Sequence, residues 1–267
     1  TASLVKENYI SVLDRQAVVG WGVLKDLVGS DIKAIGAGYN TGYGIRSDGS
    51  LVRWGGSNVL PEGNDFVEVK GSRAGPGAAL RENGTIVTFG SPYLAPPAGN
   101  DFIAIAQGKA FGVGLRANGT LATWGDSSSG NTYGQMNAPS GNNYIAVSAW
   151  NEHALALKTD GSIVAWGNNQ NGQCNVPAGN DFIAISAGYQ HNLALRANHT
   201  VVGGGSSDSG GKSLEGTFTA IEAGNANSFA VRSNGTIAVW GIGAMYNPPA
   251  GNDYIDIAAG DYFDVVV

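Results

Sequence analysis

One phrase recurs seven times along this chain, and its recurrence limits the fold more than any single residue does. Each copy opens with a short apolar run that ends near Ala-Gly. An alternating segment follows, then a two-residue turn, then a third segment that closes in most copies on an aromatic residue and glycine. The closing pairs are Trp21-Gly22, Trp54-Gly55, Phe89-Gly90, Trp124-Gly125, Trp166-Gly167, the degenerate Gly204-Gly205, and Trp240-Gly241, spaced 33 to 42 residues apart. Periods of this length belong to arrays, solenoids and propellers.

Within a copy the periodicity is that of strands. Phe182, Ile183 and Ile185 form a short apolar strand that Ala187-Gly188 ends. Leu193 and Leu195 alternate with Asn192, Ala194 and Arg196, the period of two that marks a strand. Thr159-Asp160-Gly161-Ser162 turns the chain in the preceding copy, and Ile163-Val164-Ala165-Trp166 returns it. A sheet of three or four strands cannot bury both faces alone, but seven such sheets around an axis can. Gly38, Gly108, Gly188, Gly224 and Gly260 suit the crowded axis, and the indoles suit the wider gaps between sheets. The pattern predicts an all-β, seven-bladed β-propeller spanning residues 1–267 as a single domain. The last copy stops after its second strand, Phe263–Val267, and the missing outer strand stands at the N-terminus as Ala17–Gly22. The seventh blade is therefore expected to pair strands from both termini. Tyr9-Ile10-Ser11-Val12 repeats the pattern of that second strand, which predicts an added edge strand or a chain that continues beyond Val267.

Composition excludes several functions. The net charge is −6 and no Lys/Arg cluster exists, so a nucleic-acid partner has no basic face to bind. No run approaches the ~18 apolar residues of a membrane span. Cys174 is the single cysteine, so no intrachain disulfide forms. Four Asn-x-Thr sequons occur, at Asn83, Asn118, Asn198 and Asn234. Three are Asn-Gly-Thr, and Asn-Gly is also what a tight hairpin turn requires.

The unit Ala-Gly-Tyr-Gln-His-Asn-Leu-Ala-Leu-Arg, followed by a turn and Val-Val-Gly-Gly-Gly or Ile-Val-Ala-Trp-Gly, resembles the regulator of chromosome condensation repeat. That resemblance covers essentially the whole chain and implies a seven-bladed propeller. The linker Gly-Asn-Asn-Gln-Asn-Gly-Gln-Cys-Asn-Val-Pro, residues 167 to 177, is similar to that of the secreted members that inhibit β-lactamases. This likeness implies a secreted or extracellular monomer. Those inhibitors present aromatics two residues past the glycine of each Ala-Gly. Here the matching positions are Asn40, Ala110, Gln190, Ala226 and Tyr262, with Gly75 and Glu152 as approximate counterparts. Only Tyr262 is aromatic, which argues against β-lactamase as the target.

The turns after Ala-Gly should meet at one mouth of the ring, where a propeller's ligand site usually lies. They carry Tyr39, Asn40, Arg73, Lys109, Phe111, Asn151, Glu152, His153, Tyr189, His191, Asn225, Asn227, Asp261 and Tyr262. Trp150 stands where the other copies place a small residue, and a breach of a local rule often marks function. The predicted ligand-binding residues are Tyr39, Arg73, Lys109, Trp150, His153, Tyr189, His191 and Tyr262.

Three functions fit these residues. One is a non-enzymatic recognition module for a protein or a glycan. Another is a polysaccharide lyase in which His153, His191 and Tyr189 exchange protons and Arg73 neutralises a uronate; ulvan lyases use a similar propeller. The third is a structural propeller of a larger secreted or cell-surface protein. No cofactor is expected, and two histidines without a third converging ligand make no metal site. The Gly-Lys-Ser within residues 203–213 lacks the strand-to-helix context of a phosphate-binding loop.

Overall fold

The local fold begins with the hairpin turns. In each of six turns an Asn or Asp side-chain oxygen accepts from the backbone N–H and the hydroxyl two residues on. Asn118 Oδ1 takes these bonds from Thr120 at 3.0 and 2.8 Å, and Asp48, Asn83, Asp160, Asn198 and Asn234 do the same. The threonine of every sequon is thus already engaged by its own turn. Gly119 follows with φ +79°, and a Cβ there would lie 2.3 Å from the Asn142 carbonyl oxygen of the next linker. His199 takes the same left-handed place at φ +66°. Its linker departs in parallel, with Gly216-Thr217 where four other copies have Asn-Asp.

These observations come from a computed structural model that describes residues 19–22, 31–91, 95–125, 132–208, 210–242, 248–261 and 263–266, with 19–22 and 263–266 as backbone alone. The strands form seven three-stranded antiparallel sheets. The first strands of blades 1 to 7 are Ile32–Ala37, Phe66–Gly71, Phe102–Gln107, Tyr144–Ala149, Phe182–Ala187, Phe218–Ala223 and Ile257–Ala259. The middle strands are Thr41–Arg46, Gly77–Arg81, Phe111–Arg116, His153–Lys158, His191–Arg196, Asn227–Arg232 and Phe263–Val266. The outer strands are Leu51–Gly55, Ile86–Phe89, Leu121–Gly125, Ile163–Gly167, Val201–Gly205, Ile237–Gly241 and, for blade 7, Val19–Gly22. Each first strand touches the first strand of the next blade, and that of blade 7 touches that of blade 1. The ring is closed, with the first strands around the axis. In the last blade Val19 pairs with Val266 and Gly22 with Phe263, as the split final repeat predicts. The Tyr9–Val12 segment lies outside the described residues.

The cores lie between blades. Trp124 packs with Ala78, Leu80 and Ile86 of the preceding blade and with Phe102 and Ile105 of its own. Trp166 does the same against Phe111, Val113 and Leu115. Four arginines lie over the aromatic that opens their own blade, Arg81 on Phe66, Arg116 on Phe102, Arg196 on Phe182 and Arg232 on Phe218. The first three also bind Asp65, Asp101 and Asp181, which ties each linker to the blade it enters.

First strands are edge strands, and edge N–H groups need partners. Here channel-facing side chains of one blade accept from the next. Glu68 Oε2 accepts from Ile105 N, Ser148 Oγ from Ala187 N, and Ser186 Oγ from Ala223 N, each at 2.9 Å. Ser186 in turn donates to Glu222 at 3.0 Å, and Glu222 accepts from the Ala259 backbone.

Gly119→Ala is expected to lower the urea midpoint by roughly 1–3 kcal/mol of stability without changing the slope, because both φ and the Asn142 contact oppose a side chain. An unchanged midpoint would mean that the turn relaxes freely.

Candidate functional site

The rim of the ring is built from the turns that join first and middle strands. Glycines before the rim positions of blades 1, 3, 5 and 6 have little room for a side chain. A Cβ on Gly188 would stand 2.7 Å from the Gly224 carbonyl oxygen of the next blade. The rim residue's own N–H then donates across the blade junction: Tyr39 to Ser72 O at 3.1 Å, Lys109 to Asn151 O at 2.8 Å, and Tyr189 to Gly224 O at 3.0 Å. The backbone therefore fixes where rim side chains start. At blade 4 the acceptor is one residue later than in blades 2 and 6, which makes way for Trp150. The indole is buried and shares an apolar cluster with Leu155 and Ala187, against which Tyr189 packs.

Equivalent rim positions in blades 1 to 7 carry Tyr39, Arg73, Lys109, Asn151, Tyr189, Asn225 and Asp261. Arg73 Nε donates to Asp261 Oδ2 at 2.9 Å, and its guanidinium carbon lies 4.5 Å from the centre of the Tyr189 ring. Those three residues come from blades 2, 7 and 5, none adjacent to another, so the arginine crosses the axial opening. The Asp261 side chain is only 1% exposed. Burial pushes its carboxyl up to about 6, while Arg73 and the Trp150 indole pull the other way. Lys109 Nζ lies 3.4 Å from Glu152 Oε1, and Glu152 Oε2 accepts from Asn168 at 3.0 Å. Tyr39 is exposed at the rim. Tyr262 lies outside the described residues.

The two histidines are not where a funnel reading puts them. His153 and His191 begin middle strands and are fully buried. His191 Nε2 lies 2.9 Å from Ser228 Oγ, whose own hydrogen goes to Gly210 O at 3.0 Å. This network assigns the proton to Nε2. Neither ring nitrogen of His153 has a partner among the described residues. Burial drives His153 down to about 3, with His191 adding to the effect, and drives His191 down to about 4. Both rings are neutral at pH 7 and closed to solvent. Of the predicted site residues, the structure gathers Arg73 and Tyr189, with Trp150 beside Tyr189. It sets Tyr39 and Lys109 on neighbouring blades and withdraws both histidines into the blade contacts.

Sequence reasoning overlooked a second polar group, on the axis itself. Lys70 Nζ lies 3.5 Å from Glu68 Oε1, and Glu222 and Asp256 reach the same ammonium through space. Burial alone would lower Lys70, yet the three carboxylates together hold it above its ordinary value. Burial raises all three acids, Glu222 to about 7. Lys70 keeps 43% of its side-chain area exposed while carboxylates from three blades act on it. The overlooked signal is the fifth position of the first strand, where Lys70, Ser148, Ser186 and Glu222 interrupt Gly36, Ala106 and Ala258.

Depressed histidines bind protons better in the unfolded chain. Their effect is absent above pH ~6.5 and costs stability as pH falls toward 4 and 3. Raised Glu222 and Asp261 act with opposite sign, favouring the fold in acid and losing that contribution as pH climbs toward 7 and 6. His153→Leu isolates the histidine contribution, since it removes a titrating ring without breaking a hydrogen bond. The variant is expected to hold or raise the urea midpoint at pH 7 and to lose less than wild type between pH 6.5 and 4. Parallel pH profiles would refute the assignment.

Residues 144–173, which include all three strands of blade 4, match the family model for the regulator of chromosome condensation (RCC1) repeat. No curated protein matches the chain. Among solved structures, Prp20p from Saccharomyces cerevisiae superposes with a TM-score of 0.78 at 17% identity, covering 97% of this chain and 92% of that one. The ectodomain of the Arabidopsis thaliana receptor kinase ACR4 gives 0.71 at 20% identity, covering 88% and 92%. Human WBSCR16 gives 0.72 at 14%, covering 95% and 99%. At such identities the likeness is one of fold. The chain carries an RCC1 repeat in its fourth blade and folds as an RCC1-like seven-bladed β-propeller.

Proposed function

We propose that this protein is a recognition module that binds a protein partner at the rim of the ring and catalyses no reaction there. One contrast carries the reading. Tyr39, Arg73 and Tyr189 stand on a backbone-locked rim, whereas the two side chains best suited to proton transfer are buried and neutral. Aromatic and arginine side chains are the usual anchors of protein interfaces, and a rigid rim holds them at little entropic cost. A β-elimination reaction needs a base within hydrogen-bond reach of the substrate. His153 and His191 offer no such reach, and the Tyr189 ring lies against the Arg73 guanidinium. Structural relatives support the choice: Prp20p is described with its binding to Gsp1p and histones, and as bound to Kap60. The ectodomain of ACR4 gives an extracellular setting a parallel.

Two measurements test the proposal. A photo-crosslinking residue at Tyr39 should capture a partner saturably, in competition with unlabelled protein, whereas the same residue at exposed Val59 on a linker should not. Capture from Val59 alone would move the interface off the rim. A panel of uronic-acid polysaccharides should give no ultraviolet absorbance from unsaturated uronides, and its appearance would replace the binder with a lyase.

A further inference from the structure

We propose that the rim recognises an acidic peptide segment of its partner, with the terminal nitrogens of Arg73 gripping a carboxylate. This rests on the recognition reading above and specifies its chemistry. The chain as a whole is acidic, at −6, yet its rim is polarised the other way. In the two rim ion pairs among the described residues the cation is the more exposed partner. Arg73 is 29% exposed against 1% for Asp261, and Lys109 is 43% exposed against 20% for Glu152. Glu152 is further held by Asn168. An approaching segment therefore meets positive charge first. The acids restrain the cations while exposing less of themselves, and distant negative charge is screened beyond the ~8 Å Debye length of physiological salt.

Arg73 is also prepared for one kind of contact. Asp261 pins its Nε, and Tyr189 supports one face. Its Nη1 and Nη2 have no hydrogen-bond partner among the described residues. What remains is a planar fork of two nitrogens, held in place before any ligand arrives. That fork fits the two oxygens of a carboxylate, and its fixed geometry reduces the entropy lost on binding. The guanidinium also stands between Asp261 and an incoming anion, which shields one carboxylate from the other. Tyr39 and Lys109 occupy the equivalent positions in the blades on either side. They flank the fork with an aromatic surface and a second cation.

The test is an NMR titration of the isotope-labelled protein with two end-blocked peptides, one alternating glutamate with glycine and one with glutamine in place of glutamate. The glutamate peptide should bind saturably, shifting amides around residues 39, 73 and 109, and the glutamine peptide should bind about tenfold more weakly or not at all. Arg73→Gln should weaken the glutamate peptide by about tenfold, and Arg73→Lys, which keeps the charge but not the fork, should also weaken it. A melting scan confirms that each variant is folded, and Lys109→Gln provides a second variant that leaves the Arg73 cross-link in place. Equal binding of the two peptides, unchanged binding by Arg73→Gln, or no saturable binding would overturn the proposal. Binding of an oligogalacturonate at least tenfold tighter than the glutamate peptide would also overturn it and make an acidic glycan the ligand. If Tyr39 still captures a partner while the glutamate peptide fails, the recognition module stands and only its acidic specificity falls. If both fail, both readings fall.

Discussion

Everything at the rim depends on the short ladder between Val19–Gly22 and Phe263–Val266. Without it the chain would be an open stack of six sheets and a hairpin, with unpaired edges at the seam. Four residue pairs therefore convert a solenoid-like repeat into a ring. The cost of joining the two ends of so long a chain grows only slowly with its length, so a few ladder bonds and the packing of blade 7 against blades 1 and 6 can sustain it. The Arg73–Asp261 pair bridges 188 positions of sequence, and it exists only because the seventh blade is brought round beside the first.

The axis uses charge in an unusual place for a different reason. Buried ion pairs contribute little net stability, because desolvation offsets their attraction. Glu68 and Glu222 nevertheless earn a structural role, since each accepts an N–H that the next blade's edge strand would otherwise leave unpaired. Lys70 then balances carboxylates from three blades. The raised acids show how incomplete that balance is. A polar axis stapled from blade to blade explains why an apolar phrase tolerates Lys, Ser and Glu at its fifth position.

Much of this was legible in the sequence. Period, alternation and Asn-Gly turns gave the blades, and the truncated last copy gave the seam. The position of the indoles followed from the same logic. The histidines sit deeper than the mouth because the middle strands are buried without a break, from His153 to Leu157 and from His191 to Leu195. The turn after Ala-Gly points to the mouth, whereas the strand that starts there is covered by neighbouring blades on both faces, and burial prevails. No local pattern could show that Arg73 reaches Asp261 and Tyr189, because that contact depends on the diameter of the ring. Trp150 was legible as an exception, and a one-residue change in the blade junction explains how the ring accepts it.

The rim's backbone hydrogen bonds have one more consequence. At Tyr39, Lys109 and Tyr189 the main-chain N–H, not the side chain, joins one blade to the next. Side-chain identity at those places is thereby released from the duty of holding the ring together. The rim can be read as a word of seven letters, here Tyr, Arg, Lys, Asn, Tyr, Asn and Asp, printed on a frame that is indifferent to most of the spelling. Such a frame can change partners by rewriting letters, while its blades, staples and seam stay as they are.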